Sequence, residues 1–448
     1  MNFRHIAVVD IGKTNAKLVL IDRQQGCSIS SVSLENLVVD LPPYPHYDTD
    51  ALWEFVVGAL SKLHAMHRVD GISIATHGAA AALIGDNALV LPVLDYEHLG
   101  PETTQYEPPD FTETYSPRLP AGLNLGAQLH WQSKIFSEAF GRATSILMYP
   151  QYWAWKLTGV IAGEVTSLGT HTDLWNPVTG KYSSLVRREG WRHLFPPLRA
   201  ADSILGHVLP EVAKITGLPA NTPVACGIHD SNASLLPYIS AGRLSVISSG
   251  TWTIVMTIGG DIDYLDPARD CLANVDAFGR AAPTARFMGG REFELLMAEN
   301  TATPTIDDIR AVISAAAFVL PGVMPGVGPF PNAKGGWVKA NELNERESAA
   351  AIYLYLALMT EVCLNLTGCG EAIVLEGPLA KNELFAQILA ALTDTPTFQS
   401  NDATGTSAGA AMLFGIENRT NWGKRVAPLK MDGLKDYATA WGLIAAAS

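Results

Sequence analysis

The sequence predicts an α/β chain built from two structurally related halves. Residues 5–22 (HIAVVDIGKTNAKLVLID) and 243–257 (RLSVISSGTWTIVMT) share one plan: an apolar strand, a short Gly/Thr turn and a second apolar strand. Between and beyond these hairpins, apolar runs of strand length are interleaved with segments of helical periodicity. The 448 residues suffice for two or three domains, and 48% hydrophobic against 17% charged residues gives enough apolar material for large cores.

Each element follows from local chemistry. In the first half, Gly12, Lys13, Thr14 and Asn15 form the turn of the hairpin. Residues 71–76 (GISIAT) and 88–94 (ALVLPVL) read as strands. Residues 50–66 put Leu52, Phe55, Val56, Ala59, Leu60 and Leu63 on one helical face, with Asp50 as cap. The polar, proline-containing stretch 100–120 reads as a loop, 126–140 and 150–158 as helices, and 222–226 as a short strand. In the second half, Ser249, Gly250 and Thr251 make the hairpin turn. Residues 347–367 form a long helix, 372–376 a strand, and 382–393 a helix with Asn382 as N-cap. Another helix begins near Thr406, where Ala408, Gly409, Ala410 and Ala411 permit close backbone approach.

Composition excludes several classes. The net charge of −13 and the lack of any Lys/Arg cluster argue against a nucleic-acid partner. The five cysteines are odd in number and match no zinc spacing, as expected of thiols in a reducing compartment. The start, MNFRHIAVVDIGKTN, meets Asp10 too early for a signal peptide, and no stretch approaches the roughly 18 apolar residues of a membrane span. A cytoplasmic protein without a membrane partner is expected. Oligomeric state is not readable, and a homodimer is one option.

Both hairpin turns can present backbone N–H groups and hydroxyls to phosphate oxygens, and Lys17 lies just beyond the first. No Walker-type Gly-Lys-Ser/Thr signature occurs. Asp10 ends the first strand at its turn, where a carboxylate either holds a hydrated Mg²⁺ or caps the turn. GIHDSNAS (227–234) joins a strand to a helix, so Asp230 either accepts a proton from a hydroxyl or serves, like Ser231, as the helix cap. A helix N-terminus would lower its pKa and weaken it as a base. In THGAAAALI (76–84), His77 and Gly78 end a strand, where His77 is either a sugar contact or an ordinary loop histidine. In EGPLAKNELF (376–385), Gly377 either lets a flat ligand approach or merely punctuates strand and helix.

Taken in order, these segments resemble the FGGY family of carbohydrate kinases over nearly the whole chain. DIGKTNAKL and SSGTW (248–252) are similar to its two phosphate loops, THG to its sugar-contacting turn, and YWAWKLTG (152–159) to its Leu-Thr-Gly helix. GIHDSNAS resembles the catalytic-base segment, 376–398 the adenosine segment and 404–415 the closing helix. The His-Asp and Ser-Ser-Gly-Thr-Trp pairing is similar to the rhamnulokinase and fuculokinase branches. Departures fall at Glu376-Gly377-Pro378, at GEVTSLGTHTD (163–173) and at LDYEH (94–98).

The resemblance implies two actin-like (RNase H-like) α/β domains with an interdomain catalytic cleft: an N-terminal sugar-binding domain over 1–240 and a C-terminal ATP-binding domain over 241–448. It implies ATP-dependent phosphorylation of a small sugar, a deoxyhexulose such as L-rhamnulose or L-fuculose first and a pentulose second. Asp230 would be the base and would also contact the sugar, with His77, Gly78 and His229. Asp10 would position Mg²⁺. Gly12, Lys13, Thr14, Asn15, Lys17, Gly250, Thr251, Gly377 and Asn382 would bind ATP. Two alternatives share the fold: an actin-like ATPase, and a sugar-binding homologue with impaired catalysis.

Overall fold

The computed structural model describes residues 3–400, 405–416 and 422–447. They form two compact units. The first comprises residues up to 240 together with 273–281 and the described part of 404–418; the second holds the remainder.

In the first unit the opening hairpin is β1 (His5–Ile11) and β2 (Asn15–Asp22), continued by β3 (Cys27–Glu35). Apolar runs of Ile, Val, Leu and Ala let β1 and β2 pack on both faces, whereas β3 is largely exposed. β4 (Gly71–Thr76) pairs parallel with β1, setting Asp10 beside Ala75 and Ile11 beside Thr76. On its other side β4 receives β6 (Pro223–Ala225) and β7 (Ile228–His229), both parallel, while β5 (Ile204–His207) closes the edge antiparallel to β6. The order is therefore β5-β6-β4-β1-β2-β3, with β7 beside β4. Because β1, β4 and β7 run in the same direction, Ile11, Thr76 and His229 arrive at one end of the sheet.

Helix α1 (Thr49–Met66) covers this sheet with Leu52, Val56, Val57, Ala59, Leu60 and Leu63. Its cap is Asp48, whose carboxylate accepts from the Ala51 N–H at 2.9 Å, so the expected Asp50 cap lies two residues too late. Phe55 is only partly buried. The strand expected over 88–94 ends at Leu91. The loop at 100–120 contains two short helical turns, Gly100–Thr103 and Phe111–Thr114.

The second unit repeats the plan. β8 (Leu244–Ser249) and β9 (Thr253–Ile258) form the hairpin, β10 (Ala281–Phe287) adds antiparallel to β9, and β11 (Ala372–Glu376) pairs parallel with β8. In both units, then, a hairpin's first strand pairs parallel with a strand that arrives after a long helical crossover. The core is built around the helix Glu345–Leu366, which opens with a capping box between Asn344 and Glu347. Among the described residues this helix is long and apolar enough to cross a membrane by length and composition, with mean hydropathy 1.6, contrary to the expectation that no stretch is. In the fold 78% of that window is buried.

Candidate active site

At the end of the first sheet, β7 delivers His229 to helix α2 (Asp230–Leu235). The cap position is His229, and Asp230 is the first helical residue, so neither Asp230 nor Ser231 caps this helix. The Asp230 side chain keeps 29% of its surface exposed. Its Oδ1 accepts from the Ser231 N–H at 2.5 Å and the Ser231 hydroxyl at 3.2 Å, and lies 3.2 Å from His229 Nε2. All three contacts fall on Oδ1, and Oδ2 receives none among the described residues. Burial raises the Asp230 pKa, opposed by its interaction with the His77 ring and by the Ser231 hydrogen bonds. Desolvation thus outweighs the Ser231 hydrogen bonds that would make Asp230 a weaker base.

His77 and His229 are both buried, and burial pushes each down to about 4, so both are neutral near pH 7. His77 Nδ1 donates to the Gly78 carbonyl at 2.8 Å, which leaves Nε2 as an acceptor. That Nε2 is buried without a partner among the described residues. Rings of Tyr47, Tyr96 and Tyr149 surround the imidazole at centroid distances of 5.0–5.6 Å. Gly78 lies against His229: a Cβ there would sit 2.8 Å from His229 Nε2. The His229 N–H donates to Thr166 Oγ1 at 3.0 Å, and Thr166 Oγ1 donates to Glu164 at 2.6 Å.

Asp10 faces Lys17 across the hairpin and accepts from the Ser407 hydroxyl at 2.8 Å. Ser407 comes from the helix Gly405–Ala411, which packs here because Gly409 lies against the backbone of Ala233 and the Ala410 carbonyl accepts from Ser73 Oγ at 2.7 Å. Thr404, the first residue of the expected closing segment, lies outside the described residues. Burial pushes Asp10 up to about 6, against the pull of Ser407, and the Asp230 charge adds to the rise. Two electrostatically linked carboxylates therefore stand at this end of the sheet. In the turn, the Gly12 N–H closes on the Asn15 carbonyl at 2.9 Å and Asn15 Nδ2 donates to Thr14 Oγ1 at 3.1 Å. Lys13 pairs with Asp95 and lies over the Tyr96 ring at 4.7 Å.

In the second unit the Gly250 N–H closes its turn on the Trp252 carbonyl at 2.8 Å, and Thr251 is exposed. Two further loops pack on this turn. Gly290, at the start of the helix Gly289–Met297, has no room for a Cβ against the Gly250 carbonyl. Ser249 Oγ donates to the Glu376 carbonyl at 2.6 Å and accepts from the Leu379 N–H at 2.9 Å. Gly377 adopts φ 79°, ψ −162°, a conformation essentially confined to glycine, with its α-carbon against Ser249. Asn382 caps the helix Glu383–Thr393, its Oδ1 accepting from Phe385 N–H at 3.0 Å.

This geometry can be set beside known proteins. The model of the FGGY family of carbohydrate kinases, N-terminal domain, matches residues 121–237, and that of carbohydrate kinase FGGY, C-terminal domain, matches residues 241–422. The crystal structure of a carbohydrate kinase from Novosphingobium aromaticivorans is similar over 100% of both chains, with TM-score 0.91 and 34% identity. The chain belongs to the FGGY family of carbohydrate kinases. An L-fuculokinase from Salmonella typhi is 25% identical to this FGGY kinase over 442 residues, 91% of each chain. A xylulose kinase from Lactobacillus acidophilus shares the fold at TM-score 0.81 and 17% identity, over 99% of this chain and 98% of its own.

Asp10, Gly12, Thr14, Asn15, Lys17, His77, Gly78, His229 and Asp230 lie in the first unit, and Gly250, Thr251, Gly377 and Asn382 in the second. Lys13, expected to bind ATP, pairs with Asp95 and lies over Tyr96, in the LDYEH segment. Sequence reasoning missed Asn232, Thr166, Asp95, Ser407 and the pair Gly289-Gly290. Two signals were present. Asn232 stands three residues after His229, one turn along the helix, and tandem glycines before a helical run mark a close approach.

Proposed function

We propose that this FGGY kinase transfers the γ-phosphoryl group of ATP to a hydroxyl of a neutral ketose, with Asp230 as general base. The observation that carries the reading is the one-sided loading of Asp230. With Oδ1 held by Ser231 and His229, Oδ2 is the lobe that takes the proton. The attacking oxygen then bonds to the γ-phosphorus, the bond to the β,γ-bridging oxygen breaks, and ADP leaves. His77 Nε2 and Asp230 Oδ2 are both acceptors, which suits a substrate that presents two hydroxyls. Gly12, Thr14, Asn15 and Lys17 in one unit and Gly250 and Thr251 in the other are assigned to the phosphates, and Gly377 with its helix start to the adenosine. Lys13 is assigned to the sugar side.

Mg²⁺ fits Asp10. The buried carboxylate is only partly compensated: among the described residues one hydroxyl donates to it and the Lys17 charge favours its ionised form, while burial and Asp230 oppose it. Mg²⁺ usually keeps several waters and binds through one or two carboxylates plus substrate phosphates, so a single carboxylate at the turn suffices. When bound, Mg²⁺ would neutralise phosphate charge.

A six-carbon deoxyketose such as L-rhamnulose or L-fuculose is the first substrate choice, supported by the fuculokinase relative, and a pentulose is the second. A coupled ADP-release screen over ketoses and polyols tests the choice. Asp230→Asn should lower kcat by about 10²–10⁴-fold while keeping the sugar-dependent thermal shift. Near-wild-type transfer by that variant would refute the base assignment. Sugar binding by the wild type without ADP release would favour a binding protein with impaired catalysis.

A further inference from the structure

His229 is gripped at both ring nitrogens. Nδ1 lies 3.1 Å from Asn232 Nδ2, and Nε2 lies 3.2 Å from Asp230 Oδ1. His229 is 5% exposed and Asn232 1%, so no solvent substitutes for the contact between them. A neutral imidazole carries one proton, which leaves two ways to arrange this pair. In one, the Asn232 amide donates to a bare Nδ1 and the ring N–H sits on Nε2, aimed at the carboxylate. In the other, the amide is turned so that its oxygen accepts from Nδ1–H. A bare Nε2 would then confront the Asp230 carboxylate, two acceptors at 3.2 Å in a buried site. A doubly protonated ring would satisfy both contacts, but burial opposes the charged ring. With Asp230 ionised, as a base must be, the first arrangement alone gives every contact a donor and an acceptor.

We propose that Asn232 is a positioning residue: its amide holds His229 as the Nε2–H tautomer and thereby keeps a hydrogen-bond donor on Asp230 Oδ1. The inference rests on the reading of Asp230 as the base. The surroundings hold the ring in place for this role. Thr166 Oγ1 fixes the His229 backbone N–H, and the absence of a side chain at Gly78 leaves room for the Nε2 edge. His77 is set the opposite way by the Gly78 carbonyl, with its proton on Nδ1 and its Nε2 bare. Two neutral histidines thus present one donor and one acceptor, each chosen by a neighbour. Without Asn232, His229 is free to place its proton on Nδ1, and Asp230 loses one of the three contacts that orient its carboxylate.

The full chain labelled with ¹⁵N-histidine reads the tautomer directly, because a bare and a protonated ring nitrogen resonate far apart; His229→Gln assigns the signal. At neutral pH the wild type should show His229 with Nδ1 bare and Nε2 protonated. Asn232→Leu should move that signature toward a mixture and lower kcat/KM by about tenfold, the weight of one hydrogen bond. Asn232→Asp, whose carboxylate attracts a proton to Nδ1, should lower it further. A wild-type His229 with its proton on Nδ1 overturns the proposal, and that measurement does not depend on any variant folding. So does an Asn232→Leu signature identical to the wild type. An active Asp230→Asn enzyme would instead refute the base reading and leave the tautomer intact.

Discussion

Replacing Gly78 by Ala pushes directly on the contact between His229 and Asp230. The added Cβ would stand 2.8 Å from His229 Nε2, 3.3 Å from Cδ2 and 3.7 Å from Cε1, so the ring must give way. The ring has little freedom to do so, with Nδ1 held by Asn232 and the backbone N–H by Thr166. The edge that is displaced is the one facing Asp230. A hydrogen bond to a charged group contributes about 1.5–3 kcal/mol, and its loss in the transition state corresponds to a fall of about 10- to 150-fold in kcat/KM. Overpacking adds a stability cost of about 1–3 kcal/mol. Steady-state ADP release with the best sugar, read beside thermal unfolding, measures both. The expected pattern is a lower kcat with the KM for ATP within about twofold of wild type, since the added methyl presses on one histidine and one carboxylate. Combined with Asn232→Leu, the losses should fall short of additive, because both substitutions act through the same imidazole. A Gly78→Ala enzyme that folds and keeps kcat/KM within about twofold of wild type would refute the reasoning, since it would show that the His229–Asp230 contact carries no weight in the transition state.

Other substitutions probe different parts of the site. Lys13→Met should raise the KM for sugar more than that for ATP, because Lys13 contacts Asp95 and Tyr96; the reverse order would return Lys13 to the nucleotide. Gly377→Ala forces a side chain into a glycine-only conformation against Ser249, at a cost of about 1–3 kcal/mol or more. It should raise the KM for ATP with the sugar KM unchanged, and equal effects on both would count against the adenosine assignment. Glu164 is fully buried, and burial pushes its carboxyl up to about 7 despite the Thr166 hydrogen bonds. A carboxyl raised in the folded state contributes stability that is complete below its unfolded value near 4.5 and lost as pH rises through 7. Ligand-free Tm should therefore fall between about pH 5 and 8, with a contribution on the order of 3 kcal/mol from this group. Glu164→Gln should flatten that slope, and parallel Tm–pH curves would refute the assignment.

The hairpins were legible because strand periodicity and Gly/Thr turns are local. β1, β2, β8 and β9 lie where alternation and turn chemistry put them, and the helix Glu345–Leu366 follows from its capping box and apolar run. The α1 cap fell two residues early, at Asp48, because neighbouring Asp residues in DTD compete for one cap and side-chain reach decides between them. The apolar stretch at 345–366 was long enough for a membrane, and only packing shows that it fills a core. The places of Asp10, His77 and Asp230 at strand ends were legible, whereas the partner of Lys13 was not. Its neighbours in sequence belong to a turn, and its partner Asp95 stands 82 residues away.

Sequence by itself determined that Asp230 follows a strand and opens a helix, with His229 before it and Asn232 one turn on. These relations are fixed by backbone geometry within a few residues. Tertiary structure decided how Asp230 is poised. The parallel pairing of β7 with β4 brings Gly78 against His229, burial raises the carboxyl that a helix start alone would lower, and Ser407 arrives at Asp10 from 397 residues away. Desolvation and through-space charge depend on which distant segments pack together, and no local pattern encodes that.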